Sequence, residues 1–541
     1  VYSRHLDAFA LPEVLTRPLE DVVLAMKAMD VSDVTSFPFP TPPGRGQVSA
    51  AVRLLANLGC VDTSRVEERG GDGTITSLGS AVAKLPLGVR YGKMLLVAAQ
   101  AGVLDYAIAM VAALSESSIF VHNNLENGDE KSSELSQEEL EGLDDVDRTQ
   151  IQQKEKKRLH DRKTKSKWHH DGGDVLAAVK AVGAYAYASR GAGGSSEKLA
   201  CRRFCEENGI NLVVMQRIAK MRLHLCKLAK TRLPHGSNSI AATTGKYLPA
   251  MPPPKRLQEC LLRQSIASGL LDNIARRAPP GAILPTEFTG VPRSAYICAN
   301  SWLKEPLFID NHSAVHSARP EWVCFDSIVR KTKKDGTTVA TMQRVTPVDA
   351  EWLASVCVGS KLMMLGSSPL ATPVPRYMRE KDSIQCAVET KFGGHGWEIP
   401  PCYVDMYETI HKDSGSGGGG KSSSATASGM QGDSFRWFAR YLLEGRVLSE
   451  LSGLADMLND EPSIITRRNQ PMTKKSMLFV SALSDAGVDS AAALRKHWAE
   501  VNDKFLFRAL KPWVKKGRAE DAKRLWMVSV ASNVEAWKNR G

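Results

Sequence analysis

The sequence predicts a multidomain α+β protein: a winged helix, a helical bundle, an OB-fold-like β-barrel and a C-terminal helical extension, in that order. Three observations carry this. Residues 17–96 run as amphipathic helix, proline-rich chain, second helix and two short strands. Residues 93–262 are dominated by apolar helical runs, and residues 295–356 break into short β-rich runs separated by turns. The 541 residues suffice for about three to five domains.

The first module is read from spacing and from breakers. Val22, Val23, Met26 and Met29 recur at helical spacing. F-P-F-P-T-P-P at 37–43 then forbids helix and forces extended chain. A second helix turns Val52, Leu55, Ala56 and Leu58 inward and stops near Gly59. Cys60–Val61 and Thr74–Ile75 read as two short strands around the polar turn Glu67–Gly73.

From Lys93 to Phe120 the chain is helical and apolar, broken by Gly102. Residues 124–167 interrupt the bundle: 126–147 hold ten acidic residues and one basic, 148–167 nine basic and two acidic. Such a block-polar stretch cannot bury a core and reads as an exposed excursion. The bundle resumes at Trp168 and ends in a long helix at Leu212–Leu233. Met215, Ile218, Ala219, Leu225 and Leu228 form its apolar stripe, and Arg217, Lys220, His224 and Lys227 fall on another face.

Net charge is +12 with a pI near 9.1, which favours a polyanionic partner. Residues 201–280 concentrate it, with fourteen Lys/Arg against four Asp/Glu. Arg217, Lys220, His224 and Lys227 are therefore the first candidates for a phosphate-backbone channel. Arg276, Arg277, Lys331, Lys333 and Lys334 form a second candidate path. Ten scattered cysteines without a C-x-x-C pair argue against a zinc site and for free thiols in a reducing compartment. No apolar run reaches the ~20 residues that span a bilayer, so no membrane partner is expected.

The β-rich runs are Ala295–Cys298, Leu307–Ile309, Trp322–Val329, Val339–Val345 and Trp352–Val356, with a hairpin turn at Lys334–Gly336. Trp322 and Trp352 read as core. G-S-G-G-G-G-K-S at Gly415–Ser422 fits a phosphate-loop pattern in letters alone. No apolar strand leads into it and no helix leads out, so 411–432 reads as a Gly/Ser linker. Beyond it, 435–445, Ile464–Leu483, Ala491–Leu510 and Ala519–Val530 read as helices, with Trp498, Phe505, Phe507 and Trp513 supplying a small core.

Several motifs resemble the C-terminal half of DEAH-box RNA helicases. T-P-P at 41–43, N-L-G-C-V-D at 57–62, T-S-L-G at 76–79 and L-P-L-G at 85–88 follow the order and spacing of the family's winged helix. G-G-D-V-L and F-C-E-E-N-G-I-N match its helical ratchet (HA2-like) domain, and P-E-W-V-C-F and V-T-P-V-D-A-E-W-L its barrel. Y-I-C-A-N-S at 296–301 keeps Tyr296, Ile297 and Ser301 of a family loop, which adds Ser301 to the candidate RNA contacts. The C-terminal text F-A-R-Y-L-L-E-G resembles the nucleolar branch of the family that acts in the small-subunit processome.

The resemblance implies six segments: 1–34, the end of a second RecA-like motor domain; 35–92, winged helix; 93–262, ratchet with the insertion 124–167; 263–410, barrel; 411–432, linker; 433–541, C-terminal helices. The chain begins with Val1 and carries no motor motif, so it is expected to be a fragment that hydrolyses no ATP by itself. No catalytic residue, metal or cofactor is expected in this chain; ATP and Mg would belong to the intact helicase. Implied partners are RNA (pre-rRNA and small nucleolar RNA), the missing motor domains and an activating processome protein, in the nucleus and nucleolus. The rival readings are a splicing-type DEAH helicase, which would normally lack 435–541, and a stand-alone RNA-binding scaffold without a motor.

Overall fold

The computed structural model describes residues 12–16, 18–64, 66, 71–121, 166–190, 195–233, 239–247, 251–279, 295–332, 338–406, 434–467 and 471–538. Nearly all of the charged insertion, the Gly/Ser tract 411–432 and the turn carrying Lys333 and Lys334 lie outside the described residues. The chain divides into two compact units, Val1–Met364 with Lys391–Ile399, and Leu365–Thr390 with Pro400–Gly541.

The first unit opens with helix α1, Glu20–Ala28. It buries Val23, Leu24 and Met26, whereas Val22 and Met29, which share the helical spacing, are 42% and 70% exposed. The inward position falls instead to Lys27, whose ammonium pairs with the Asp72 carboxylate and donates to the Ser32 carbonyl at 2.7 Å. Helix α2, Arg45–Asn57, starts after the prolines and buries Val48, Val52 and Leu55 before Gly59 ends it with φ +74°. Strands β1, Val61–Asp62, and β2, Thr74–Ile75, pair antiparallel. Helix α3, Ser77–Ala83, follows, its first turn capped by Thr76 Oγ1 accepting from the Gly79 N–H at 3.0 Å. A Cβ on Gly79 would come 2.1 Å from the Cys60 carbonyl oxygen, so only glycine lets this helix lie against the strand.

Helices α4, Val89–Gln100, and α5, Leu104–Leu114, are separated by Gly102 in the left-handed region (φ +73°), as the sequence requires. The bundle adds α6, Asp174–Ala188; α7, Ser195–Glu207; α8, Leu212–Arg232; α9, Ile240–Thr244; and α10, Arg256–Gly269. Helix α10 lies tightly on α4. Ser265 Oγ donates to the Met94 carbonyl at 2.6 Å, and Arg90 clasps Asp272 with two bonds of 2.6 and 2.8 Å.

Seven strands follow: β3 Ile274–Arg277, β4 Tyr296–Cys298, β5 Leu307–Ile309, β6 Trp322–Cys324, β7 Ser327–Thr332, β8 Thr338–Gln343 and β9 Thr346–Pro347. They form one sheet in the order β7-β8-β5-β4-β3-β6-β9, in which β5 and β8 are parallel. Among the described residues no pairing closes it into a barrel. Its core holds Tyr296, Leu307, Val323, Phe325 and Met342. Trp352–Val356, expected as a β-rich run, lies instead in helix α11, Ala350–Val356. Asp349 and Glu351 at its N-terminus suit the helix dipole, and Leu353 and Ala354 bury one side. Trp322 is core at 5% exposure; Trp352 is half-buried under the Arg263 guanidinium.

The second unit contains most of a four-stranded sheet made of β10 Met363–Pro369, β11 Arg376–Met378, β12 Ser383–Phe392 and β13 Trp397–Asp405. Its helices are α12 (434–443), α13 Lys474–Asp485, α14 Ala491–Glu500, α15 Phe507–Leu510 and α16 Ala519–Lys538. Ile384, Cys386, Val388 and Met406 share one core with Phe438, Leu442, Phe479, Trp498, Trp513 and Trp526. Trp498 and Trp513 are buried as expected, while Phe505 and Phe507 only flank this core; Trp526, absent from the sequence reading, is fully buried in it.

Candidate nucleic-acid interface

Helix α8 sets the geometry of the basic face. Asn211 caps it, its side-chain oxygen accepting from the N–H groups of Val213 and Val214 at 3.0 and 3.3 Å. Val214, Met215, Ile218, Leu225, Cys226 and Leu228 are buried, which fixes the helix's rotation about its axis. Arg217, Lys220, His224 and Lys227, at steps of three and four, then share one exposed face. Lys230 and Arg232 in the last turn extend the positive charge along the favourable end of the helix dipole.

These cations differ in how far they are neutralised. Arg217 Nη1 lies 3.5 Å from a Glu116 carboxylate oxygen. No described residue pairs with Lys220, His224 or Lys227. Arg222, which swells the local charge in the sequence, is withdrawn from the surface. It is 2% exposed, its guanidinium lies 4.3 Å over the Tyr247 ring, and its Nε has no partner among the described residues.

The remaining candidates sit on the seven-stranded sheet and its loops. Arg276 bonds Glu321 through Nε and Nη2 at 3.0 and 2.8 Å and lies 5.0 Å over Trp322. Arg277 donates to the Arg319 carbonyl at 2.9 Å. Lys331 pairs with Asp310 at 3.3 Å. Lys333 and Lys334 lie outside the described residues. Ser301 is exposed, in the loop between β4 and β5.

Contacts draw one of these strands towards the α8 face. Arg344, just after β8, donates to the carbonyls of Leu114 and Glu116 at 2.9 and 2.7 Å, and the Glu116 side chain meets Arg217. The start of the basic face thus adjoins the end of β8. Arg276, Arg277 and Ser301 belong to other parts of the sheet. The sequence reading missed Arg53 and Trp302, an exposed pair with the guanidinium 4.5 Å from the indole centroid. The one signal available was an aromatic placed directly after the family loop ending at Ser301. Among the described residues no three His, Cys, Asp or Glu side chains converge to hold a metal ion. No helix among them is long and apolar enough to cross a membrane.

Three family models match in series. Residues 89–178 match the ratchet-like helicase associated domain (HA2), 262–358 an oligonucleotide/oligosaccharide-binding (OB)-fold, and 450–529 the DEAH helicase DHX37 C-terminal domain. In series, these are domains of DEAH-box RNA helicases, and the chain is similar to the part of those proteins that carries them. It is similar to the probable ATP-dependent RNA helicase DHX37 of Homo sapiens, 30% identical over 539 residues, which covers 96% of this chain and 40% of that protein. It is similar also to the probable ATP-dependent RNA helicase kurz of Drosophila melanogaster (26%; 92% of this chain, 37% of the relative) and to the ATP-dependent RNA helicase DEAH13 of Arabidopsis thaliana (27%; 97% and 39%). The chain spans about 40% of the length of these relatives.

Proposed function

We propose that this chain is the RNA-binding and regulatory part of an ATP-dependent DEAH-box RNA helicase acting in pre-rRNA processing and small-ribosomal-subunit assembly. The observation that carries the reading is the match of 450–529 to a C-terminal domain of one DEAH helicase, downstream of ratchet-like and OB-fold domains. Residues 35–92 serve as its winged helix. The exposed face of α8 holds single-stranded RNA by its phosphates, since unpaired lysines attract any sequence equally. ATP and Mg bind the motor domains of the intact protein, and this chain alone turns over no ATP. Its partners are pre-rRNA, small nucleolar RNA and an activating processome protein, and it works in the nucleolus.

The test is ultraviolet crosslinking of the intact protein in its own cells, followed by sequencing of the RNA recovered. Pre-ribosomal and small nucleolar RNA support the reading. Spliceosomal RNA would transfer the protein to the splicing branch, and absence of crosslinked RNA would leave a scaffold role.

A further inference from the structure

Four segments of the first unit meet around the end of α2. The Lys361 N–H donates to the Ala56 carbonyl at 3.0 Å, and the Ser360 hydroxyl bonds the Asn57 carbonyl. The Gly393 N–H donates to Leu362 at 2.9 Å and the Gly394 N–H to Ala299 at 2.8 Å. A Cβ on Gly394 would lie 2.6 Å from Ser301 Cβ, so this turn and the β4–β5 loop are in van der Waals contact. Two aromatics stand beside that contact, Trp302 and His395, and both are exposed. His395 stacks on Trp397 with centroids 5.3 Å apart, and Trp397 sets its ring edge-on against the buried Trp322 at 5.3 Å. The exposed imidazole therefore rests on a column rooted in the core.

Trp302 is 72% exposed, an unusual state for the largest apolar side chain. A lone surface aromatic needs no explanation, but this one is positioned. Its backbone N–H donates to Asn300 Oδ1 at 3.2 Å, which shapes the turn, and the Arg53 guanidinium covers one face of the indole ring. Arg53 has no carboxylate partner among the described residues, so its charge stays available. With one face under a guanidinium, that exposure leaves the other face to solvent. An unpaired guanidinium beside an open indole face is what a stacked base and its phosphate require.

We propose that Arg53 and Trp302 form a platform on which one base of single-stranded RNA stacks, with Arg53 taking the neighbouring phosphate. This rests on the reading of the chain as an RNA-binding module and adds a base-contacting position to the phosphate-contacting face of α8. Stacking accepts every base, so the platform grips RNA without reading its sequence.

The test compares two labelled RNA 12-mers, one ordinary and one abasic throughout, bound to wild type, Trp302→Ala and Trp302→Phe. For ordinary RNA, Trp302→Ala is expected to weaken binding roughly 5- to 100-fold and Trp302→Phe to restore most of it. Abasic RNA is expected to bind wild type and Trp302→Ala alike, with an unchanged salt slope. If Trp302→Ala binds ordinary RNA as wild type does, the platform is overturned while the RNA-binding reading stands. If wild type binds neither RNA, both fail.

Discussion

The backbone and side chain of Asp174 clasp the backbone of Val345. The Asp174 N–H donates to the Val345 carbonyl at 2.9 Å, and the Val345 N–H donates back to the Asp174 carboxylate at 2.8 Å. The same carboxylate accepts from the Ala314 N–H at 2.7 Å and the Ser313 hydroxyl at 2.9 Å. One residue at the start of α6 thereby ties the bundle to two connections of the sheet, β5–β6 and β8–β9. Gly173 makes this approach possible, because a Cβ there would lie 2.5 Å from the Val345 carbonyl oxygen.

Asp174→Ala should therefore destabilise the first unit by about 2–4 kcal/mol, since buried N–H groups are left without acceptors. Chemical unfolding monitored by circular dichroism measures this. A loss within about 0.5 kcal/mol, the range of ordinary surface changes, would mean that the clasp contributes little.

Gly269→Ala tests the packing of α10 on α4. In an exposed helix this change gains about 1 kcal/mol. Here the new methyl would meet the Arg90 carbonyl oxygen at 2.7 Å and Met94 side-chain atoms at 2.7 Å. Overpacking should reverse the sign and cost about 1–3 kcal/mol. A stabilised variant would show that the two helices separate freely.

Lys93 gives a pH signature. Burial pushes its ammonium down to about 8, although its Nζ donates to the Leu58 carbonyl at 2.7 Å. An unfolded lysine titrates near 10.4. Between those values the unfolded chain binds more protons, so this group's contribution rises with pH and is lost as pH falls through about 8. Compared with Lys93→Met, wild type should gain about 2 kcal/mol of relative stability between pH 8 and pH 10. A stability difference that stays flat with pH would contradict a buried, easily deprotonated lysine.

What was legible in the sequence follows from locality. The exposed face of α8 and the break at Gly102 could be read because helical periodicity and a left-handed glycine are properties of adjacent residues. The run Trp352–Val356 was misread because Trp352 and Val356 are residue types enriched in strands, whereas the acidic N-terminus and one buried side of the helix Ala350–Val356 decided otherwise. Neutralisation was invisible: Arg276 meets Glu321 only once β3 and β6 pair. So was the Arg53–Trp302 pair, whose members join only in the fold. Ile384, Cys386 and Val388 alternate like any strand, and nothing local reveals that their core partners are C-terminal helices.

The most direct measurement is the salt dependence of single-stranded RNA binding by wild type and by the double variant Lys220→Ala/Lys227→Ala. If these lysines hold phosphates, affinity should fall alike for unrelated RNA sequences, and the log–log salt slope should flatten by roughly one to two units. Stability should change by no more than about 0.5 kcal/mol per site, because both side chains are exposed. An unchanged slope with an intact fold would place the RNA path away from α8 and contradict the account.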